Sequence, residues 1–295
     1  VGRIKQDDVS YPIKRNGYYY YSRYEEGQEY PVYCRRKDNM DNPEQILLDG
    51  NEMAKGYHYF DIGAYSVSPD NELLAYSIDT VSRRQYDIFV KEIETGKIFP
   101  EVIKNTTGNM VWANDNETLF YSVKDESLRS CKIMRHKLGD DPANDELVYF
   151  EEDTAFSCYI SKTKSRRYIM IISDSTMSSE VRFIDADRPY DEFKIFQKRE
   201  HDHLYGIGHY GEHFYILTNA DGAKNFKIMK TAVNKTEREN WEELIPHRDD
   251  VLIEDFDIFS DFLVIEERKE GLVKIRIMTW DGATDYYIDF GEPTY

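Results

Sequence analysis

The sequence predicts an all-β fold, a β-propeller of four-stranded antiparallel blades, of which about six are present. Three observations support this prediction: a repeat of about 49 residues, strand-like segments at fixed places within each repeat, and almost no helical periodicity. The chain has 295 residues, which is enough for about six such repeats and for a substantial hydrophobic core.

The repeat is visible in six apolar and aromatic segments, each of which follows a cluster of turn-forming residues. One central residue of each segment gives spacings of 56, 45, 49, 45 and 49: Tyr20, Tyr76, Tyr121, Met170, Tyr215 and Val264. A second strand-like set follows each segment at an offset of 11 to 13 residues: Val32, Ile88, Ile133, Phe183, Ile228 and Ile275. Hairpin turns such as 94–97 indicate that consecutive strands are antiparallel. A β-sandwich or two tandem barrels would not keep this offset through six repeats.

Composition restricts the class of protein and its partners. The net charge of −18 argues against nucleic acid, because binding to phosphates needs a basic surface. No run of about 18 apolar residues exists, so we expect no membrane partner. The acidic surface could attract basic peptides or could serve solubility alone.

The cysteines and the N-terminus give a weak indication of the compartment. Cys34, Cys131 and Cys158 are widely spaced and odd in number, which suits a reduced compartment better than a disulfide framework. The first residues show no apolar signal core, but the chain lacks a starting methionine and looks cut from something longer. We therefore expect a cytoplasmic protein, with the periplasm as the alternative.

Catalytic and cofactor motifs are absent from the sequence. We find no G-x-S-x-G serine elbow, no P-loop and no H-E-x-x-H, so no catalytic residue and no cofactor is predicted. Gly206, Gly208 and Gly211 match G-x-G-x-x-G, but the strand-like segment 213–217 follows where a dinucleotide site needs a helix. The match is therefore interpreted as chance, with the glycines on the innermost strand and turn of the fifth blade.

Two groups of polar residues have the residue types of a ligand site, but we predict that neither forms one. His201, His203, His209 and His213 lie close in sequence, but nothing completes a set of ligands, and we predict no metal site. Acidic runs occur at 151–153, 249–250 and 254–255. A propeller glycosidase would need two carboxylates facing each other across a channel, whereas such runs are more often solvated loops.

Seven segments resemble the prolyl oligopeptidase family of serine peptidases, and within it the oligopeptidase B group. They occur in family order over essentially the whole chain: 11–18, 82–86, 111–115, 179–182, 224–226, 241–246 and 264–268. The resemblance implies a two-domain enzyme with a short N-terminal extension, a seven-bladed propeller and an α/β-hydrolase domain that carries a Ser-Asp-His triad. Residues 1–10 would end the extension and residues 11–295 would form about six blades. The catalytic domain would follow Tyr295, so no triad residue is assigned to this chain.

The resemblance also implies a function and a set of site residues. The propeller would gate a serine oligopeptidase that hydrolyses short peptides after Arg or Lys, with the hydrolase domain as its partner in cis. The innermost strands would line the channel near Val67, Val111, Ile160, Ile207 and Ile258. Arg83, Arg84 and Tyr86 are the candidates for contact with the hydrolase domain or a hinge, because two arginines beside a strand are unusual in an acidic protein. The chain alone is expected to be inactive, and the alternative is a stand-alone propeller that serves as a protein-interaction scaffold.

Overall fold

The computed structural model describes residues 8–292, which are almost entirely strands and turns. The chain forms two compact units, residues 1–150 and 151–295. Within the described range, no helix is long and apolar enough to cross a membrane.

The first unit contains two antiparallel sheets. The first sheet has the order β1-β2-β3-β4 and consists of Ile13–Arg15, Tyr18–Arg23, Val32–Lys37 and Glu44–Asp49. A single turn of helix, α1 (Gly50–Met53), follows it, and Asp49 caps the helix by accepting hydrogen bonds from two backbone N–H groups. The second sheet has seven strands in the order β5 to β11: Asp61–Val67, Leu73–Asp79, Tyr86–Glu92, Ile103–Trp112, Thr118–Lys124, Ser130–Lys137 and Glu146–Phe150.

The seven-stranded sheet is two four-stranded meanders that share the long strand β8. Its start pairs with β7, at Ile103 opposite Ile88, and its end pairs with β9, at Trp112 opposite Leu119. Between the two halves, Gly108 adopts a φ of 87° that a residue with a side chain rarely adopts. The glycine therefore lets one continuous strand leave one blade and enter the next.

The second unit contains three separate four-stranded antiparallel sheets, each in sequence order. Strands β12–β15 are Ser157–Lys162, Tyr168–Asp174, Ser179–Asp185 and Lys194–Gln197. Strands β16–β19 are Tyr205–Tyr210, His213–Thr218, Lys227–Ala232 and Glu242–Ile245. Strands β20–β23 are Leu252–Ile258, Phe262–Lys269, Leu272–Thr279 and Asp285–Tyr287. Three short 3-10 turns occur in the connections of the two units: Pro142–Asn144, Ala220–Gly222 and Arg238–Asn240.

The predicted repeat coincides with the observed meanders. All six residues of the first predicted set lie on the second strand of a meander, in β2, β6, β9, β13, β17 and β21. All six residues of the second set lie on the third strand, in β3, β7, β10, β14, β18 and β22. The predicted fold class, all-β with four-stranded antiparallel blades, is confirmed.

Alternating side chains of adjacent strands form the core between neighbouring meanders. In the second unit, Phe183, Phe196, Phe214 and Trp241 pack together in one aromatic cluster that joins β12–β15 to β16–β19. In the first unit, Trp112 is buried and its indole N–H donates to the carbonyl of Ser66 at 3.0 Å. Large aromatic residues thus contribute to the packing between strands and sheets within each unit.

The predicted N-terminal extension falls mostly on residues 1–7, which lie outside the described residues. Of the rest, Val9 forms an isolated antiparallel bridge with Arg23, and the N–H of Ser10 donates to the carbonyl of Ser22. The domain boundary at residue 10 stays a prediction.

Candidate functional site

Arg83 and Arg84 lie in the tight loop between β6 and β7. The carboxylate of Asp79, which is buried, accepts hydrogen bonds from the backbone N–H groups of Val81, Arg83 and Arg84 at 2.7 to 3.0 Å. Ser82 and Arg84 have positive φ angles of 59° and 53°, a strained conformation that the Asp79 hydrogen bonds maintain. Both arginine side chains are exposed, and neither guanidinium has an ion pair within residues 8–292. They are available to a partner.

Tyr86, the third predicted contact residue, is instead held inside the first unit. Its hydroxyl donates to the carboxylate of Asp61 at 2.6 Å, and burial and this carboxylate raise the pKa of Tyr86. Its ring fills the space beside Gly63 and Gly108, where an added Cβ would lie 2.5 Å and 3.0 Å from ring atoms. Tyr86 is therefore packed inside the first unit at the end of the loop, whereas the side chains of Arg83 and Arg84 are exposed to solvent. Their role in a domain contact or hinge stays a prediction.

The five residues predicted to line a channel all lie on the first strand of a meander, but their exposure differs. Val67 on β5, Val111 on β8 and Ile207 on β16 are half-buried. Ile160 on β12 is 1% exposed and Ile258 on β20 is 7% exposed, so these two side chains contribute almost no surface. Because strand side chains alternate, the neighbouring Tyr159 presents the exposed side of β12 instead. The lining role of this set stays a prediction.

A cavity of about 320 Å³ lies where the first strands of the three sheets of the second unit meet. We call it the β16 cavity, because β16 runs along it between β12 and β20. Its apolar wall includes Met170, Ile172, Leu217 and Phe256 beside Ile207. Gly206 faces open space, since a Cβ built there has no atom within 4 Å.

The polar rim of the β16 cavity carries three aspartates and two lysines. Asp257 pairs with Lys164 at 2.7 Å, and the Lys164 ammonium also lies 3.3 Å from the centre of the Phe259 ring. Asp174 accepts a hydrogen bond from the hydroxyl of Tyr159 at 3.1 Å. Burial raises the pKa of Asp174, because desolvation disfavours the charged carboxylate more than the Tyr159 hydrogen bond favours it. Asp255 and Lys162 complete the charged rim.

Sequence reasoning missed Asp174 and Tyr159 as site residues. Asp174 ends β13 two residues after the apolar run 168–172, and Tyr159 lies opposite Ile172 in the register of β12 and β13. A carboxylate at the end of an apolar strand can indicate a binding site there. The residues that face this carboxylate, however, are determined by the packing of neighbouring sheets.

A second cavity, of about 350 Å³, opens on the loops around residues 200–203 and 219–224. Its charges neutralise each other. Arg238 bridges Glu200 at 2.9 Å and Asp221 at 2.6 Å, and Lys227 also contacts Asp221 at 3.0 Å. Both cations lower the pKa of Asp221.

The four clustered histidines do not converge on one point. His201 is exposed and contacts Asp202, whereas buried His203 hydrogen-bonds Thr218 at 2.9 Å. His209 is buried against Tyr168 and hydrogen-bonds Ser165 at 2.8 Å. Across residues 8–292, no three His, Cys, Asp or Glu side chains are arranged to hold a metal ion.

The glycine motif lies on strands, as its context indicates. Gly206 and Gly208 belong to β16 and Gly211 to the turn before β17, so a strand follows the motif where a dinucleotide-binding fingerprint needs a helix.

One acidic run corrects the expectation of a solvated loop. Glu151 is 3% exposed and pairs with Arg199 at 2.6 Å, and it also accepts the hydroxyl hydrogen bond of Ser173. Arg199 further contacts Glu180 at 3.7 Å and stacks on the ring of Phe156. No local pattern in the sequence indicates this buried network, because its partners come from strands and loops up to 48 residues apart.

Comparison with known proteins identifies the family. The model of the "Prolyl oligopeptidase, N-terminal beta-propeller domain" matches residues 1–295. Dipeptidyl aminopeptidase BI of Pseudoxanthomonas mexicana is 41% identical over 97% of this chain and 42% of its own length. Protease 2 of Moraxella lacunata is 30% identical over 100% of this chain and 43% of its own length.

Solved structures agree with this similarity. Oligopeptidase B from Leishmania major superposes with a TM-score of 0.92 at 29% identity, over 98% of this chain and 42% of that one. Oligopeptidase B from Trypanosoma brucei, with covalently bound antipain, gives a TM-score of 0.90 at 28% identity over the same fractions. The chain therefore spans less than half the length of these relatives. It belongs to the prolyl oligopeptidase family, and it corresponds to the N-terminal β-propeller domain of that family.

Proposed function

We propose that this propeller gates access to a serine peptidase domain, so that only short, unfolded peptides are hydrolysed. The observation that carries the proposal is the match of all 295 residues to the propeller domain of a peptidase family. A rigid scaffold of sheets beside a catalytic site can exclude folded proteins by size and can keep water from the reacting bonds. The loop that presents Arg83 and Arg84 would contact the catalytic domain or its hinge.

The proposed substrates are peptides cleaved after Arg or Lys. Two facts favour basic substrates: the net charge of −18, which attracts cations, and the similarity to structures named oligopeptidase B. Electrostatic attraction of this kind raises the rate of association more than the affinity, and added salt weakens it.

A second candidate is the release of dipeptides from the N-terminus of a peptide. It is favoured by the 41% identity to a protein named dipeptidyl aminopeptidase BI, the higher of the two identities given above. The two candidates differ in whether a free N-terminal ammonium is required. An N-terminally blocked peptide is a substrate only for an endopeptidase.

The experiment compares the protein encoded by the complete reading frame with this 295-residue chain. We expect the complete protein to hydrolyse fluorogenic peptides with Arg or Lys before the scissile bond, and to lose activity as the peptide is lengthened or replaced by a folded protein. A matched Gln peptide is the control for charge, and an acetylated peptide separates the two candidates. The 295-residue chain should show no turnover.

Three results would overturn parts of the proposal. Turnover by the pure 295-residue chain that a serine-directed inhibitor blocks would contradict the assignment of catalysis to another domain. Equal rates for a short peptide and a folded protein would contradict gating. No hydrolysis of any peptide by the complete protein would favour the interaction scaffold.

A further inference from the structure

We infer that the β16 cavity is a binding subsite for a cationic group of a peptide, with an apolar side chain seated beside it. The inference deepens the proposed function, on which it rests for the class of ligand. It adds a site within the propeller, formed by β12, β13, β16 and β20.

The shape of the β16 cavity suits part of a peptide. A volume of about 320 Å³ accommodates one or two side chains, and the open space above Gly206 allows a ligand to approach the backbone of β16. Ile172, Leu217 and Phe256 offer an apolar wall that would bury a hydrophobic side chain of the ligand.

The charges of the rim favour a cation over an anion. The Lys164 ammonium is engaged by Asp257 and by the Phe259 ring, and Lys162 is the other cation of the rim. With three aspartates and two lysines, the rim carries one more carboxylate than ammonium groups, and no ion pair involves Asp174 or Asp255 within residues 8–292. His209 does not offset this difference, because burial lowers its pKa and keeps the ring neutral.

Asp174 is the residue that would contact the cation. Within residues 8–292, the hydrogen bond to its carboxylate comes from the Tyr159 hydroxyl, a neutral donor, which leaves lone pairs for an ammonium or guanidinium group. A charge-assisted hydrogen bond in such a half-buried place is stronger than one between neutral groups. The cation can be the N-terminal ammonium of a peptide or the side chain of Arg or Lys.

The test measures binding of small peptide amides to the 295-residue chain by calorimetry. Phe-Gln amide carries only an N-terminal ammonium, acetyl-Phe-Arg amide carries only a guanidinium, and acetyl-Phe-Gln amide carries no charge. We expect one of the two cationic peptides to bind at least about tenfold more tightly than the neutral one. The peptide that binds identifies the source of the cation.

Three variants connect this binding to the cavity. Asp174→Asn keeps an acceptor for Tyr159 but removes the charge, and should weaken binding of the cationic peptide about tenfold. Gly206→Val fills the cavity at a position with room for a side chain, and should weaken all three peptides. Asp191→Asn removes an exposed charge from the connection between β14 and β15, and should leave binding unchanged.

The inference is overturned if Asp174→Asn binds the cationic peptides as tightly as Asp191→Asn does, or if the neutral peptide binds equally well. Thermal melts by circular dichroism verify that each variant is folded. If a variant does not fold as the 295-residue chain, the same substitution is made in the complete protein. There, KM for the same peptides is measured in place of the binding constant. Binding without hydrolysis by the complete protein would refute the proposed function alone, whereas hydrolysis that is insensitive to both cavity variants would refute the inference alone.

Discussion

Gly208 of β16 leaves the space that the side chain of Ile258 on β20 occupies. A Cβ at Gly208 would lie 2.7 Å from Cδ1 of Ile258 and 3.2 Å from Cε2 of Phe256, closer than packed carbon atoms approach. The glycine is thus required by the close approach of two sheets and not by its backbone conformation. Gly206, two residues earlier on the same strand, faces open space.

Gly208→Ala should lower the free energy of unfolding by about 1–3 kcal/mol, because the added methyl group overpacks the contact with Ile258. Gly206→Ala is the matched control, and we expect it to be neutral or to stabilise the protein by up to about 1 kcal/mol through a less flexible unfolded chain. Urea unfolding monitored by tryptophan fluorescence measures both. An equal free energy of unfolding for the two variants would contradict the prediction, because it would mean that the two sheets accommodate the added methyl group without loss of stability.

Glu267 on β21 is 1% exposed and is the centre of a network that fixes the last sheet. It pairs with Arg248 and with Arg276, and it accepts the Tyr287 hydroxyl at 2.6 Å. Glu267→Ala should destabilise the protein by about 3 kcal/mol, because Arg248 then keeps its charge without its carboxylate partner and Arg276 keeps only its pair with Asp285. The control is Glu242→Gln, which breaks an exposed pair with Lys230 and should cost less than about 0.5 kcal/mol. A cost at Glu267 as small as at Glu242 would contradict this account.

His203 should make the protein less stable in mild acid. Burial, followed by the charge of Arg238, lowers the pKa of His203 below its ordinary value, while Glu200 and Asp221 act in the opposite direction. The unfolded chain then binds a proton more readily than the folded one below pH of about 6.5, so stability is lost as pH falls through that range.

The measurement is the free energy of unfolding in urea between pH 7.5 and pH 5.5. His203→Gln should reduce the loss of stability over this range, whereas His201→Gln, at an exposed histidine, should leave it unchanged. Identical pH profiles for His203→Gln and the unsubstituted protein would exclude His203 as a cause.

Arg84 should affect catalysis by the complete protein and not the stability of this chain. If Arg84 contacts the catalytic domain or hinge, Arg84→Ala lowers kcat/KM and reduces its dependence on salt, since screening then has one fewer charge to act on. Lys97→Ala is the control, because Lys97 is exposed just beyond the other end of β7 and carries the same charge. Unchanged kcat/KM and unchanged salt dependence in Arg84→Ala would remove Arg84 from the interface.

Much of this architecture can be read from local patterns along the chain. The spacing of Tyr20, Tyr76 and Tyr121 marks second strands, because a meander of short strands and tight turns repeats its length and its alternation. The exposed loop with Arg83 and Arg84 can also be predicted from the sequence, because burying two charged side chains next to each other would cost desolvation free energy.

The partners of individual side chains depend on contacts between strands that are distant in sequence. Nothing near Glu151 in the sequence indicates that Arg199, 48 residues later, neutralises it inside the protein. In the same way, Ile160 and Ile258 lie on first strands, but neighbouring sheets bury most of their surface, and the polar groups of Tyr159 and Asp174 lie at the cavity. Hydrophobic periodicity is a local property of the chain, and it defines strands and their order. Charge pairing and cavities arise between sheets, where a shift of one residue in register would exchange the buried face for the exposed one.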